Sequence, residues 1–371
     1  MQTRRVPALC LAILLAAVSW PVHAQRNNNN PPKPTPEQFD IEILYTGVDA
    51  VVAGQPGPAD IPGTMVQHHL LMTQTGAVMV PYTLKIDRSK VTGPLQAYIR
   101  VVDKDAPQGT MPAPAAAPAP TRGGNDRNRN NRNQPPPAPV PVGPTFPVSV
   151  SLTLNVPADG IVQRAIELKP GRYEMFVAVK EKSTTVPAID PKAPPAPPPP
   201  LTGGLMRTDL TIPDMGAGLG TSSIILANGV EPVTAPLTPE QQGANPYTIG
   251  GVLKITPNTT GQFAKASELV AVFWLYGVTS VSGKPDVTVD YSFHRKEGAA
   301  DKYFNRTDPQ AYNAQTSAPT FNLDAGHQVM AIQGLSVQGF PAGDYRLEIK
   351  ITDKPSGKSI TQNVNFTVLP V

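Results

Sequence analysis

Histidine pairs, glycine-rich turns and acidic turns are the first places to look for chemistry in this chain. His68 and His69 are adjacent in a segment that reads as a strand. Neighbouring strand side chains point to opposite faces, so the pair cannot chelate one ion in regular geometry. His294 falls on the polar face of an alternating segment, and His327 sits in a Gly-containing turn. No His or carboxylate cluster has metal-ligand spacing, so no metal ligand is assigned. Asp87-Arg-Ser-Lys-Val91 begins like the Asp-x-Ser-x-Ser of metal-dependent adhesion sites, but Val91 stands where the last Ser belongs. It reads as a strand-end turn. Gly216-Ala-Gly-Leu-Gly-Thr-Ser222 looks like a phosphate-cradling turn. A dinucleotide fingerprint needs its third Gly one position later, where Thr221 stands, and then a helix and a parallel strand. No cofactor is expected, and the stretch reads as connector.

Nucleophilic catalysis has little support: there is no Gly-x-Ser-x-Gly, and the single thiol, Cys10, lies in the N-terminal apolar run. No catalytic residue is assigned, although carboxylate pairs of the kind that hydrolyse glycans are not visible to sequence reasoning. Tyr303, Phe304 and Tyr312, in a polar excursion, are the few aromatics available to stack on a sugar ring or a partner. Arg122, Arg127, Arg129 and Arg132 form a basic, Asn-rich patch without an aromatic for base stacking. It reads as a solvated spacer with weak attraction to anionic surfaces.

The elements that must position these residues begin after a targeting segment. Arg4 and Arg5, the apolar run Val6 to Trp20 and the small-residue site Val22-His23-Ala24 predict a secretory signal cleaved after Ala24. The apolar run is short for a membrane span, and no second run reaches spanning length. Loss of Arg4 and Arg5 takes the formal charge from +3 to +1. A near-neutral chain gives no electrostatic case for nucleic acid. The expected setting is periplasmic or extracellular.

Proline supplies 45 of the 371 residues, against a usual ~5%. Much of it falls in two insertions, 106–147 and 183–203, which read as disordered because Pro lacks the ladder donor and the composition offers no core. Residues 25–37 read as a disordered leader. Outside these stretches the period is two. Phe39 to Tyr45 reads as a first strand; Val78, Val80, Tyr82, Leu84 and Ile86 form one inward set, and Leu95, Ala97, Ile99 and Val101 another. Three strands separate the insertions, so the two should leave at opposite ends of the sheet. Leu269 to Tyr276 is almost continuously apolar and reads as a central strand covered on both faces. Thr238-Pro-Glu-Gln suits the start of one helical turn, since Thr caps and Pro fits the first helical position. No amphipathic helix of ten or more residues is expected.

Two segments share a signature. In Leu168-Lys-Pro-Gly-Arg-Tyr173 and Phe340-Pro-Ala-Gly-Asp-Tyr345, a turn ends in Gly171 or Gly343 and a strand opens at Tyr173 or Tyr345. The inward residues that follow are Met175, Val177 and Val179 in one, and Leu347, Ile349 and Ile351 in the other. Each Tyr is either a tyrosine corner of the immunoglobulin-like kind or an ordinary packed strand residue. The predicted fold is all-β: two tandem antiparallel β-sandwiches, immunoglobulin-like, over 38–215 and 246–371, joined by a linker at 216–245.

Leu168-Lys-Pro-Gly-Arg-Tyr173, Leu210-Thr-Ile-Pro-Asp214 and Ser222-Ser-Ile-Ile-Leu226 resemble the C-terminal β-module of exported acidobacterial proteins with a von Willebrand factor A-related domain. Gly343 to Lys358 is similar to β-modules ending exported proteins with a Gly-Trp-x-Thr-Asp domain. Neither signature domain is present, so the resemblance implies an accessory exported sandwich pair and transfers no functional residue. Sequence reasoning thus leads to a non-enzymatic interaction or scaffold protein of the cell envelope with an unidentified protein partner. The alternative is carbohydrate binding or processing.

Overall fold

The structure, a computed structural model, describes residues 34–106, 146–186, 198–235, 237–298 and 300–370. The expected signal segment, residues 25–33 of the expected leader, most of both insertions and the four arginines from Arg122 to Arg132 lie outside the described residues. Among those described, the fold is all-β with two α-helices. The chain runs α1 (Pro36–Val52), β1 (Gly63–His68), β2 (Leu71–Met72), β3 (Val78–Ile86), β4 (Leu95–Asp103), β5 (Val148–Leu154), β6 (Ile161–Leu168), β7 (Gly171–Glu181) and β8 (Gly204–Ile212). These build the first sandwich. In one sheet β3 pairs with β1 and β2 on one side and β6 on the other; the second sheet has the order β5-β4-β7-β8. All pairs are antiparallel. The inward sets read from the period of two meet in one core: Val78 to Ile86 on β3, Leu95 to Val101 on β4, and Met175, Val177 and Val179 on β7.

The register also places the insertions. Asp103, where β4 ends, lies opposite Tyr173, and Glu181, where β7 ends, lies opposite Leu95. The chain therefore leaves this sheet at opposite ends, as the count of three intervening strands predicts. The second insertion is narrower than expected. Ser183 donates from its backbone to Asp40 (2.8 Å), and Leu201 packs beside α1.

The first strand expected at Phe39–Tyr45 lies instead within α1, a helix of 17 residues where none of ten or more is expected, and Thr35 to Glu37 of the expected leader form its cap and start. Its buried residues are Asp40, Ile43, Leu44, Val48 and Val51, a spacing of three and four that belongs to a helix face. Leu44, Val48 and Val51 pack on Tyr98, Phe176 and Ala178, the outward face of β4 and β7. That sheet is thus covered on both sides. Two charged residues are buried under the helix. Lys180 donates to Asp40, and the Arg100 guanidinium pairs with Asp49 and stacks between the rings of Tyr45 (4.3 Å) and Phe146 (4.4 Å).

The second sandwich comprises β9 (Gly220–Thr221), β10 (Ile225–Pro232), α2 (Pro239–Ala244), β11 (Thr248–Ile249), β12 (Leu253–Pro257), β13 (Gln262–Phe263), β14 (Glu268–Tyr276), β15 (Val287–Glu297), β16 (Ala300–Arg306), β17 (Gln310–Tyr312), β18 (Val329–Ser336), β19 (Gly343–Asp353) and β20 (Lys358–Val368). Its sheets run β11-β12-β10-β14-β18 and β13-β20-β19-β15-β16, with β9 on β14 and β17 on β15. The expected linker at 216–245 is therefore corrected. Ile225, Leu226 and Ala227 pair with Val272, Ala271 and Val270 and are buried. This apolar run is short and flanked by Gly, Pro and Thr, and it becomes a strand because β14 offers it a ladder. The helical turn expected after Thr238 is α2, closed by a capping box between Thr238 and Gln241.

Candidate functional site

Both signature tyrosines are corners. The Tyr173 hydroxyl donates to the Lys169 carbonyl at 3.0 Å, and the Tyr345 hydroxyl to the Pro341 carbonyl at 2.7 Å. Burial raises the pKa of each phenol. Gly171 has φ 157° and Gly343 φ 143°. A Cβ on Gly171 would sit 3.0 Å from the Tyr173 hydroxyl, so the ring folds into space that only glycine leaves. These residues organise the strands and are not themselves a binding surface.

Tyr303, Phe304 and Tyr312 do not form one platform. Tyr303 is 55% exposed and lies edge-on to His294. Phe304, its strand neighbour, points the other way and packs on Phe340 (4.9 Å between ring centres) and Tyr345 (5.5 Å). Tyr312 is half-buried, its hydroxyl donating to Gln310 Oε1 at 2.9 Å; burial pushes its pKa up. The excursion that carries them is partly sheet, since β16 and β17 both pair with β15. Asp87 is occupied by its own turn, accepting from the backbone (3.0 Å) and hydroxyl (2.7 Å) of Ser89. His294 Nε2 lies 4.0 Å from Glu348, and exposed His327 accepts from the Asn322 N–H at 3.1 Å. Among the described residues, no group of three or more His, Cys, Asp or Glu is placed to hold a metal ion.

The residues that do converge lie between the sandwiches. Odd-numbered residues of β14 (Leu269, Ala271, Phe273 and Leu275) face the second core, while Val270, Val272, Trp274 and Tyr276 face outward. That outward face is covered by Leu71, Met72 and Met79 of the first sandwich, together with Tyr247 and Ile255. Polar groups fix the register of the contact. The Leu70 N–H donates to Ser223 Oγ (2.9 Å) and the Ser223 N–H to the Leu70 carbonyl (3.0 Å). The Met72 N–H donates to the Tyr276 hydroxyl (2.9 Å). His69 Nδ1 lies 2.8 Å from the Tyr247 hydroxyl. Burial, with a smaller contribution from His68, lowers the His69 pKa from about 6.5 to about 4, so the ring is neutral at pH 7. As strand geometry requires, His68 is exposed where His69 is buried.

Beside this contact is an open cleft of about 360 Å³ where turns from both sandwiches meet. One wall is Met72 to Gly76; the other is Leu275 to Ser280 with Leu323 to Gln328. Thr73, Gln74, Ser280 and Gln328 offer hydroxyls and amides, and Asp324, His327 and the Tyr276 phenol are the ionisable side chains of the lining. Sequence reasoning missed the junction. One signal was available: a strand apolar on both faces needs a cover on each side.

No family model matches the chain, and no curated protein matches it. Among solved structures it is similar to a family 123 glycoside hydrolase from Clostridium perfringens, studied for glycolipid glycan hydrolysis (13% identity over 41% of this chain and 28% of that chain, TM-score 0.21). It is also similar to a Salmonella alpha-2-macroglobulin reacted with methylamine (8% identity over 85% of this chain and 17% of that chain, TM-score 0.21). The chain therefore spans less than a third of either neighbour's length. Similarity at this level carries no functional argument. No helix among the described residues is long and apolar enough to cross a membrane.

Proposed function

We propose that the chain is an exported, non-enzymatic interaction or scaffold protein of the cell envelope, holding a protein partner through loops from both sandwiches. The observation that carries this reading is the junction. Turns from the two halves meet in one cleft beside a buried contact, so a partner seated there would touch both. The resemblance of the Pro-Gly-x-Tyr, Ile-Pro-Asp and Ser-Ser-x-x-Leu segments to accessory modules of exported proteins agrees with it. The carbohydrate alternative has lost its stacking platform, since one ring of its three candidates is exposed.

The test is photo-crosslinking from the cleft. A crosslinking residue replaces Gln74 or Asp324 in the chain lacking residues 1–24, and envelope extract is probed by mass spectrometry. One dominant protein adduct from both positions, absent when the residue replaces exposed Lys302 on β16, supports the reading. Retention on wall or polysaccharide material with no protein adduct overturns it in favour of the carbohydrate alternative.

A further inference from the structure

The second sandwich carries an edge that lacks the usual protection against strand pairing. β20 pairs with β19 along its whole length, from Lys358 opposite Asp353 to Val368 opposite Gly343. On its other side, among the described residues, only the two-residue β13 pairs with it, at Thr367 and Val368. The Thr367 N–H donates outward to Gly261, and the Leu369 N–H to Phe263. Strand backbone alternates with a period of two, so the N–H and C=O groups of Ser359, Thr361, Asn363 and Asn365 also point away from β19. Four consecutive outward positions are thus left for another strand.

Natural edges are blunted by charge, bulges, proline, short length or plugs. Several other edges among the described residues are. β16 carries Asp301, Lys302 and Arg306 and opposes a bulge at Phe293/His294. β11 has two residues. On β18, the Ile332 carbonyl is capped by Gln310 Nε2 at 3.0 Å, and β8 carries Arg207 and Asp209. β5 is uncharged but follows directly on 107–145, which the structure does not describe, so it supports no argument. From Ser359 to Phe366, β20 has no charge, no Pro, no Gly and no register shift.

We infer that this edge pairs with the same edge of a second copy, antiparallel about a two-fold axis at Gln362, joining two copies of the β13-β20-β19-β15-β16 sheet. The occupant follows from self-complementarity. In this register Thr361 meets Asn363, Ser359 meets Asn365, and Ile360 meets Val364. Ile360 and Val364 are only partly buried against the core, so the second copy would complete their cover. The one charged residue, Lys358, faces Phe366 instead of its own copy. An isologous pair of this kind brings no like charges together. This inference does not depend on the envelope partner, because the cleft and the β20 edge use different residues.

The experiment is sedimentation of the chain lacking residues 1–24, with three variants. Thr361→Pro removes an outward N–H and leaves the β19 ladder intact. Gln362→Glu and Gln362→Lys each place like charges at the two-fold axis. The expected result is a dimer for the parent chain and monomers for all three variants, with circular dichroism unchanged. An equimolar mixture of the Glu and Lys variants should return to twice the monomer mass. If Thr361→Pro fails to fold, the charge-swap pair still decides the question. A parent chain that stays monomeric, or a dimer that survives both charge variants, overturns the inference. So does a monomer that binds foreign extended peptides at this edge.

Discussion

A tyrosine hydroxyl that reaches back four residues ties a corner turn to the strand it opens. Tyr345 is fully buried, and its hydrogen bond satisfies the Pro341 carbonyl. Tyr345→Phe should cost about 1 kcal/mol, the usual net worth of such a bond, read as a lower urea midpoint at unchanged m-value. His69 sets a second residue-scale expectation. Its folded pKa lies near 4 and its unfolded value near 6.5, so the unfolded chain binds more protons between them. Stability from the neutral ring is complete above pH 6.5 and is lost as the pH falls toward 4. The melting temperature of the parent chain should fall across that window more than that of His69→Gln. Equal pH slopes would refute the assignment. The Gly-x-Tyr turn was legible from spacing, but whether its Tyr is a corner was left open, and the His69 environment was not legible because its partner Tyr247 lies 178 residues away.

At the scale of elements, the same four residues occur twice with different outcomes for sequence reasoning. Thr238-Pro-Glu-Gln was read as a helix start and begins α2. Thr35-Pro-Glu-Gln38 closes an identical capping box, yet the residues after it read as a strand. Phe39-Asp-Ile-Glu-Ile alternates locally, and reading it as a strand left Thr35, Pro36 and Glu37 in the leader, although helical spacing out to Val51 supports the cap. Asp40 misled further: a carboxylate on the buried face looks wrong until Lys180 supplies its partner from β7. Thr35→Ala should destabilise the first sandwich by ~1 kcal/mol through the lost cap, measured by chemical denaturation. No change would mean that packing on Tyr98 and Phe176 alone holds the helix.

For the whole molecule, the consequential contact is Leu71 and Met72 against the outward face of β14. Trp274 is buried in that contact and is the single tryptophan after residue 24. Leu71→Asp places a carboxylate there without a partner, which is strongly unfavourable. Trp274 emission should shift to the red and unfolding should split into two steps, while far-UV circular dichroism of the native state holds. A single step with unshifted emission would show that the sandwiches do not depend on this contact.

The sequence by itself determined what is periodic or local: the all-β class, the inward sets of the long strands, the two Gly-x-Tyr turns, the α2 cap and the opposite exits of the insertions. Each follows from side-chain alternation or from hydrogen bonds spanning four residues or fewer. The tertiary structure alone decided that α1 covers a sheet face, that 225–232 is a strand, and that β2 closes the outer side of β14. Those outcomes are set by burial against partners tens to hundreds of residues distant. A local pattern states that a face must be covered, and only the assembled fold states by what.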